Sequence, residues 1–261
     1  MNAAVLHADD IPMNRLLGAY LTEIRCDFMR NLRNPGIALP VLLMPVGLYL
    51  LIAGLVAGEA VVKDPDVGTF LFGAFAVMAV TMPALFSVGT SFALERDSGL
   101  LRLKRAQPAP AAGWLIAKIV TGLALGVLAY VPVLIAGLAT GRLSLDIGPA
   151  LAMSVALLAG VPPFCALALM IGSLVSGSAA PAWSNLIYLP GCYLSGMFFP
   201  LPESMHWQVP LWPQFHVEQL AMHAAGVTKF QFEPVLMAAA ALVGCTVLFG
   251  GVATWRIARK G

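Results

Sequence analysis

The sequence predicts an all-α integral membrane protein: six transmembrane helices, an amphipathic interfacial helix ahead of the first, and short re-entrant helices between spans five and six. Composition is one reason. Of 261 residues, 59% are hydrophobic and only 11% charged, whereas soluble domains are about 25% charged. So few charges cannot cover a soluble surface, which excludes a soluble enzyme, a nucleic-acid-binding domain and a disordered chain. The net charge of +2 is too small to call for a polyanionic partner. Continuity is another reason. Apolar runs long enough to cross about 30 Å of hydrocarbon cover 37–58, 67–93, 113–139, 150–175, 182–199 and 235–254. They do not alternate apolar and polar residues as the strands of a membrane barrel would. One charged side chain, Lys118, falls inside them. It lies about one and a half turns into the third run, where a long side chain can snorkel to the interface.

Orientation follows from the basic residues. Arg15, Arg25, Arg30 and Arg33 precede span one; Arg96, Arg102, Lys104, Arg105 and Lys118 lie at or near the loop after span two; Arg256, Arg259 and Lys260 follow span six. Only Lys63, Arg142 and Lys229 fall on the other side. Both termini are therefore expected in the cytoplasm, as an even number of spans requires. The first 36 residues lack the basic start and apolar core of a signal peptide. The chain reads as one membrane domain over 1–261.

Residues 1–10 read as a loose cytoplasmic end. Over 11–34, Met13, Leu16, Leu17, Tyr20, Leu21, Ile24, Phe28 and Leu32 recur at three- and four-residue steps, with Arg15, Glu23, Arg25, Arg30 and Arg33 among them. This is an amphipathic helix with a basic face, suited to the membrane interface either as an anchor or as a docking element. Asn34-Pro35-Gly36 ends it. Pro40, Pro45, Pro83, Pro132, Pro162, Pro163 and Pro190 fall within the spans and read as kinks, which membrane helices tolerate. Gly54/Gly58, Gly122/Gly126 and Gly137/Gly141 have the spacing of close helix packing. The segment 200–234 holds Trp207, Trp212, Phe215, Phe230 and Phe232 among prolines. It is too apolar for a free loop and too interrupted for a span, so it reads as one or two short helices dipping into the outer leaflet.

Chemistry is conspicuously missing. His206, His216 and His223 stand in the outer segment and His7 near the start, without metal-ligand spacing; they read as exposed polar residues. Cys26, Cys165, Cys192 and Cys245 form no C-x-x-C pair. No span carries a histidine or carboxylate at mid-depth, as a membrane enzyme or an ion-coupled carrier would need. The nearest carboxylate, Glu59, sits at the outer end of span one. A phosphate-binding loop is also lacking. No catalytic residue, metal or cofactor is expected.

One polar stretch is patterned. Glu95-Arg96-Asp97-Ser98-Gly99-Leu100-Leu101-Arg102-Leu103-Lys104-Arg105-Ala106-Gln107-Pro108 follows span two directly. Read alone it is a short cytoplasmic helix and turn, or a solvated anchor. At this point the chain resembles the ABC type-2 transporter permeases, whose loop after span two carries an acidic-basic-acidic cluster, then Gly, leucines and a closing Pro. Glu95, Arg96, Asp97, Gly99, Leu100, Leu101 and Pro108 match; Leu100 stands where many members have Thr. Ser195-Gly196-Met197-Phe198-Phe199-Pro200-Leu201-Pro202 is similar to the family's stretch at the outer end of span five.

The resemblance implies a permease without a nucleotide site of its own. ATP would be bound by a separate ABC ATPase, with two copies of each subunit and a homodimeric permease. Glu95, Arg96, Asp97, Gly99, Leu100 and Arg102 would contact the ATPase, with the lead-in helix from Pro12 to Asn34 as a second contact. It also implies a bacterial inner-membrane exporter of an amphipathic substrate: a drug, antibiotic, lipid or lipid-linked glycan. The apolar spans offer no obvious site for a strongly charged solute. The alternative is a non-transporting membrane scaffold or assembly subunit.

Overall fold

The computed structural model describes residues 13–56, 58, 63–105, 111–143, 145–199 and 201–260. The described residues form helices and turns, with no strand among them. Helix α1 is Met13–Leu32, and Pro35 then opens α2, Pro35–Leu51, which continues as a π-helical turn over Ile52–Val56. Proline at a first helical position loses no hydrogen bond, because that N–H is unpaired anyway. Next comes α3, Pro65–Asp97, about 50 Å long at 1.5 Å per residue. Its N-cap Asp64 accepts the Asp66 N–H at 3.0 Å. Gly99, with φ +75°, turns the chain into α4, Leu100–Arg105. The remaining helices are α5 Ala111–Ala139, α6 Ile147–Leu158, α7 Val161–Leu174, α8 Ala180–Leu194, α9 Pro213–Ala225 and α10 Val235–Lys260. Short 3-10 helices cover Glu203–Leu211 and Thr228–Phe230.

Five helical stretches among the described residues are long and apolar enough to cross a membrane: Pro35–Leu55, Pro65–Asp97, Leu115–Ala139, Ile147–Leu174 and Val235–Arg259. The remaining expected span, 182–199, is represented by α8. It has 15 residues, about 22 Å of helix, because Gly196 adopts φ +74° and stops it. The fourth expected span is two helices, parted at Ala159–Gly160. Pro162 and Pro163 therefore do not kink a continuous helix but occupy the first turn of a new one. The break is also a contact point, since a Cβ on Gly160 would lie 2.8 Å from the Val217 side chain of α9.

Helix α3 is the hub. It packs against α2, α5, α7 and α8, and almost every residue from Gly68 to Ala93 is buried. Small residues make this possible. A Cβ on Gly126 of α5 would stand 3.0 Å from the Val80 carbonyl oxygen, and one on Gly172 of α7 would stand 2.9 Å from that of Gly89. The Gly122/Gly126 pair thus marks a helix contact, whereas Gly141 serves a turn at φ +64°. Gly126→Leu is expected to lower stability by about 1–3 kcal/mol through overpacking. Gly244→Leu, where nothing lies within 4 Å of an added Cβ, is the control; thermal unfolding in detergent compares the two.

The bundle has two distinct ends. Helices α1 and α4 gather around the end of α3 at Asp97, while the segment 203–233 folds onto its beginning, where Asp64 pairs with Lys229 and Phe70 stacks on Phe230 at 4.4 Å.

Candidate functional site

The patterned stretch begins in the last turn of α3, where successive residues point about 100° apart. Glu95, Arg96 and Asp97 therefore cannot share a direction. Glu95 turns inward and is 1% exposed. Arg96 and Asp97 turn toward the end of α7.

Around Glu95 lies a buried charge cluster. Lys118 of α5 donates to Glu95 Oε1 at 2.7 Å, to Asp27 Oδ1 of α1 at 2.5 Å, and to Ser91 Oγ at 3.0 Å. Arg30 of α1 pairs with both Asp27 and Glu95. Lys104 of α4 reaches Glu95 Oε2 at 3.1 Å and also pairs with Glu23 of α1. The Asn31 amide donates to the Asp27 carbonyl at 2.9 Å. Three cations thus meet three carboxylates drawn from α1, α3, α4 and α5. Burial alone would lower the pKa of Arg30 and Lys104, yet both are held above their ordinary values. Glu95 and Asp27 outweigh burial at Arg30, and Glu23 and Glu95 outweigh it at Lys104.

Lys118 therefore does not snorkel. It is 1% exposed, and two carboxylates, Asp27 and Glu95, lie within 2.7 Å of its Nζ. Asp27, 4% exposed, escapes the sequence reading altogether. The signal was there: Asp27 and Asn31 are four residues apart, on the face of α1 that turns toward α5. Helix α1 presents this polar stripe inward, while Leu17, Leu21 and Met29 are exposed on the other side with Arg25 and Arg33.

The neighbouring pair forms a clamp. Arg96 donates through Nη1 to the Gly172 carbonyl at 2.7 Å and through Nη2 to the Val175 carbonyl at 2.8 Å. These are carbonyls at the end of α7, which lack partners within the helix. Asp97 Oδ1 accepts from Arg96 Nη2 at 2.7 Å, and Asp97 Oδ2 accepts from the Gly177 N–H at 2.7 Å. The end of α3 is thereby fastened to the turn between α7 and α8.

What remains outward is α4. Leu101 is buried, but Leu100 and Leu103 are 37% and 66% exposed, with Arg102 exposed between them. Of the six expected contact residues, Glu95 and Arg96 make internal contacts. Asp97 is partly exposed while bound to Arg96 and Gly177, Gly99 shapes the turn, and Leu100 and Arg102 form the exposed tip with Leu103. Pro108, His7, Glu59 and Pro200 lie outside the described residues.

At the other end, the histidines do not form one exposed set. His206 is exposed, but His216 is buried and lies 2.6 Å from Glu233 through Nδ1, while its Nε2 donates to the Pro210 carbonyl at 2.9 Å. His223 Nε2 donates to the Glu233 carbonyl at 2.7 Å. No group of three or more metal-ligating side chains occurs among the described residues.

The profile of one protein family, described as ABC-2 type transporter, matches residues 20–216, well over half of the chain. No curated protein matches it.

Proposed function

The chain belongs to the ABC-2 type transporter family, and on that premise we propose that it is the permease half of an ATP-driven exporter for an amphipathic drug, antibiotic, lipid or lipid-linked glycan. Two copies work with two copies of a separate ABC ATPase. Both termini lie on the cytoplasmic side of a bacterial inner membrane, and α8 with the turn after it completes a sixth passage.

One observation carries the coupling part of this reading: the buried cluster joins α1, α3, α4 and α5 while leaving the α4 tip exposed. A push on Leu100 and Leu103 moves α4. Lys104 and Glu95 link α4 to the 33-residue α3, and a stiff helix carries displacement through the bilayer as a rigid body. Arg96 passes the same motion to α7 and α8. Glu95, Arg96 and Asp97 transmit the push, then, while Leu100, Arg102 and Leu103 receive it. The second contact, α1, is locked to the same body through Asp27 and Arg30.

The test is co-expression with candidate ABC ATPases, followed by reconstitution of the co-purified pair. ATP-dependent movement of a lipophilic dye, a labelled phospholipid or a lipid-linked glycan is expected. A stable pair that moves none of them under ATP would instead favour a scaffold.

A further inference from the structure

At the end of the bundle opposite the charge cluster, a carboxyl is buried without a cation. Glu218 of α9 is 1% exposed, and its Oε1 has no hydrogen-bond partner. Gln214, one turn earlier on the same face, is also buried with an unpartnered Oε1; its Nε2 reaches the Tyr188 carbonyl at 3.5 Å, and its side chain also lies within hydrogen-bond reach of Cys192. Both belong to the contact between α9 and α8. A Cβ on Gly191 would stand 2.5 Å from Gln214 Nε2, and Glu218 lies within electrostatic reach of Cys192.

Among the described residues, the packed surroundings supply no counter-charge. Helix α6 has no ionisable side chain, and α8 brings only Tyr188, Cys192 and Tyr193. On α10, Cys245 lies midway and Arg256 and Arg259 at the far end; on α3, Asp66 stands at the start and Glu95, Arg96 and Asp97 at the far end. In the flanking 3-10 helices, Glu203 and His206 are exposed and Lys229 is taken by Asp64. On α9 itself, His223 is bound to the Glu233 carbonyl and His216 to the Glu233 carboxyl and the Pro210 carbonyl. Because His216 Nε2 donates to a carbonyl, the short His216–Glu233 contact needs a second proton of its own. That pair leaves Glu233 Oε2 without a partner but keeps a histidine against its carboxyl; Glu218 has no such neighbour.

An isolated carboxylate taken out of water costs far more than a neutral carboxyl. Burial pushes the Glu218 carboxyl well above the usual carboxylate range. We propose that Glu218 is a proton-binding site that latches this end of the bundle: it holds a proton while α9 is packed, and releases it to water when α9 lifts away from α8 and α6. Opening of the 203–233 segment is thereby proton-linked. The inference concerns the segment's own equilibrium and needs the permease reading only for what opening serves.

The sign follows from linkage. The packed state binds the proton more tightly than the open state, whose carboxyl titrates near about 4.3. The latch is at full strength below that pH and weakens as pH rises toward the packed-state value, by up to about tenfold per pH unit in the opening constant.

The test is hydrogen–deuterium exchange of residues 213–225 in the full chain in nanodiscs without ATPase, at pH 6 to 8, divided by the intrinsic chemical rate. The opening constant is expected to rise at least tenfold over that range. In Glu218→Gln it is expected to be flat, near the low-pH value of the unaltered chain, and Glu218→Met gives a second neutral side chain should Gln fail to fold. A flat profile in the unaltered chain overturns the proposal, as does a slope that survives in both variants. So does a slope abolished only by Glu233→Gln, because the proton would then belong to the His216–Glu233 pair. None of these outcomes depends on whether the protein transports anything.

Discussion

Lys118→Met is expected to destabilise the protein by about 3–5 kcal/mol, because removing one partner of a buried ion cluster leaves the others uncompensated. Asp27 and Glu95 would then face each other, nearly fully buried, with only Arg30 between them, and Asp27 Oδ2 has no hydrogen-bond partner even now. In thermal unfolding the midpoint should fall by roughly 6–20 °C, taking about 2–4 °C per kcal/mol for a chain of this size. The converse experiment is sharper. Asp27→Asn, Glu95→Gln and Lys118→Met together remove the charges at the centre, and Arg30 and Lys104, both partly exposed, can turn to water. Stability is expected to return to within about 2 kcal/mol of the unaltered chain, since buried ion groups replaced as a set often cost little. If the triple variant is as unstable as Lys118→Met alone, the cluster is not one electrostatic unit and its role as a joint between α1, α3 and α5 fails.

This cluster marks where the sequence stops being readable. The apolar runs were legible because a bilayer allows few alternatives to a continuous helix, and α1 ends at Leu32, two residues before the expected C-terminal limit. The partners of Lys118 were not legible. Asp27 lies 91 positions away and Glu95 lies 23 away, and helical periodicity says nothing about which helices become neighbours. The same holds for Pro162 and Pro163. A proline pair inside an apolar run fits a kink or a new helix equally well, and the close approach of Val217 to Gly160 at the break comes from a distant segment. His216 was misread for a related reason: its partner Glu233 is 17 positions on, beyond two turns of backbone. The acidic-basic-acidic pattern was visible, but the directions of its side chains were not, so residues that grip neighbouring helices were grouped with those that face outward.

That division makes a prediction in which stability and coupling separate. Leu100→Ser combined with Leu103→Ser removes two exposed apolar side chains from the α4 tip and disturbs no described hydrogen bond or ion pair. Exposed positions of this kind change stability by no more than about 0.5 kcal/mol each, so the unfolding midpoint should stay close to that of the unaltered chain. Apolar anchors at the centre of a protein–protein contact, by contrast, commonly carry over 1 kcal/mol each. Affinity for the ATPase subunit should therefore fall at least tenfold, about 1.4 kcal/mol, and ATP-driven transport should fall with it. Arg102→Ala should act differently, slowing association and weakening its salt dependence, as expected of a charge at the rim. Arg96→Ala is the counterpart in the clamp: it leaves the Gly172 and Val175 carbonyls without their donor and should lower stability while sparing the docking tip. Unchanged ATPase affinity in the double-serine variant would mean that the partner is engaged elsewhere, with α1 the next surface to test.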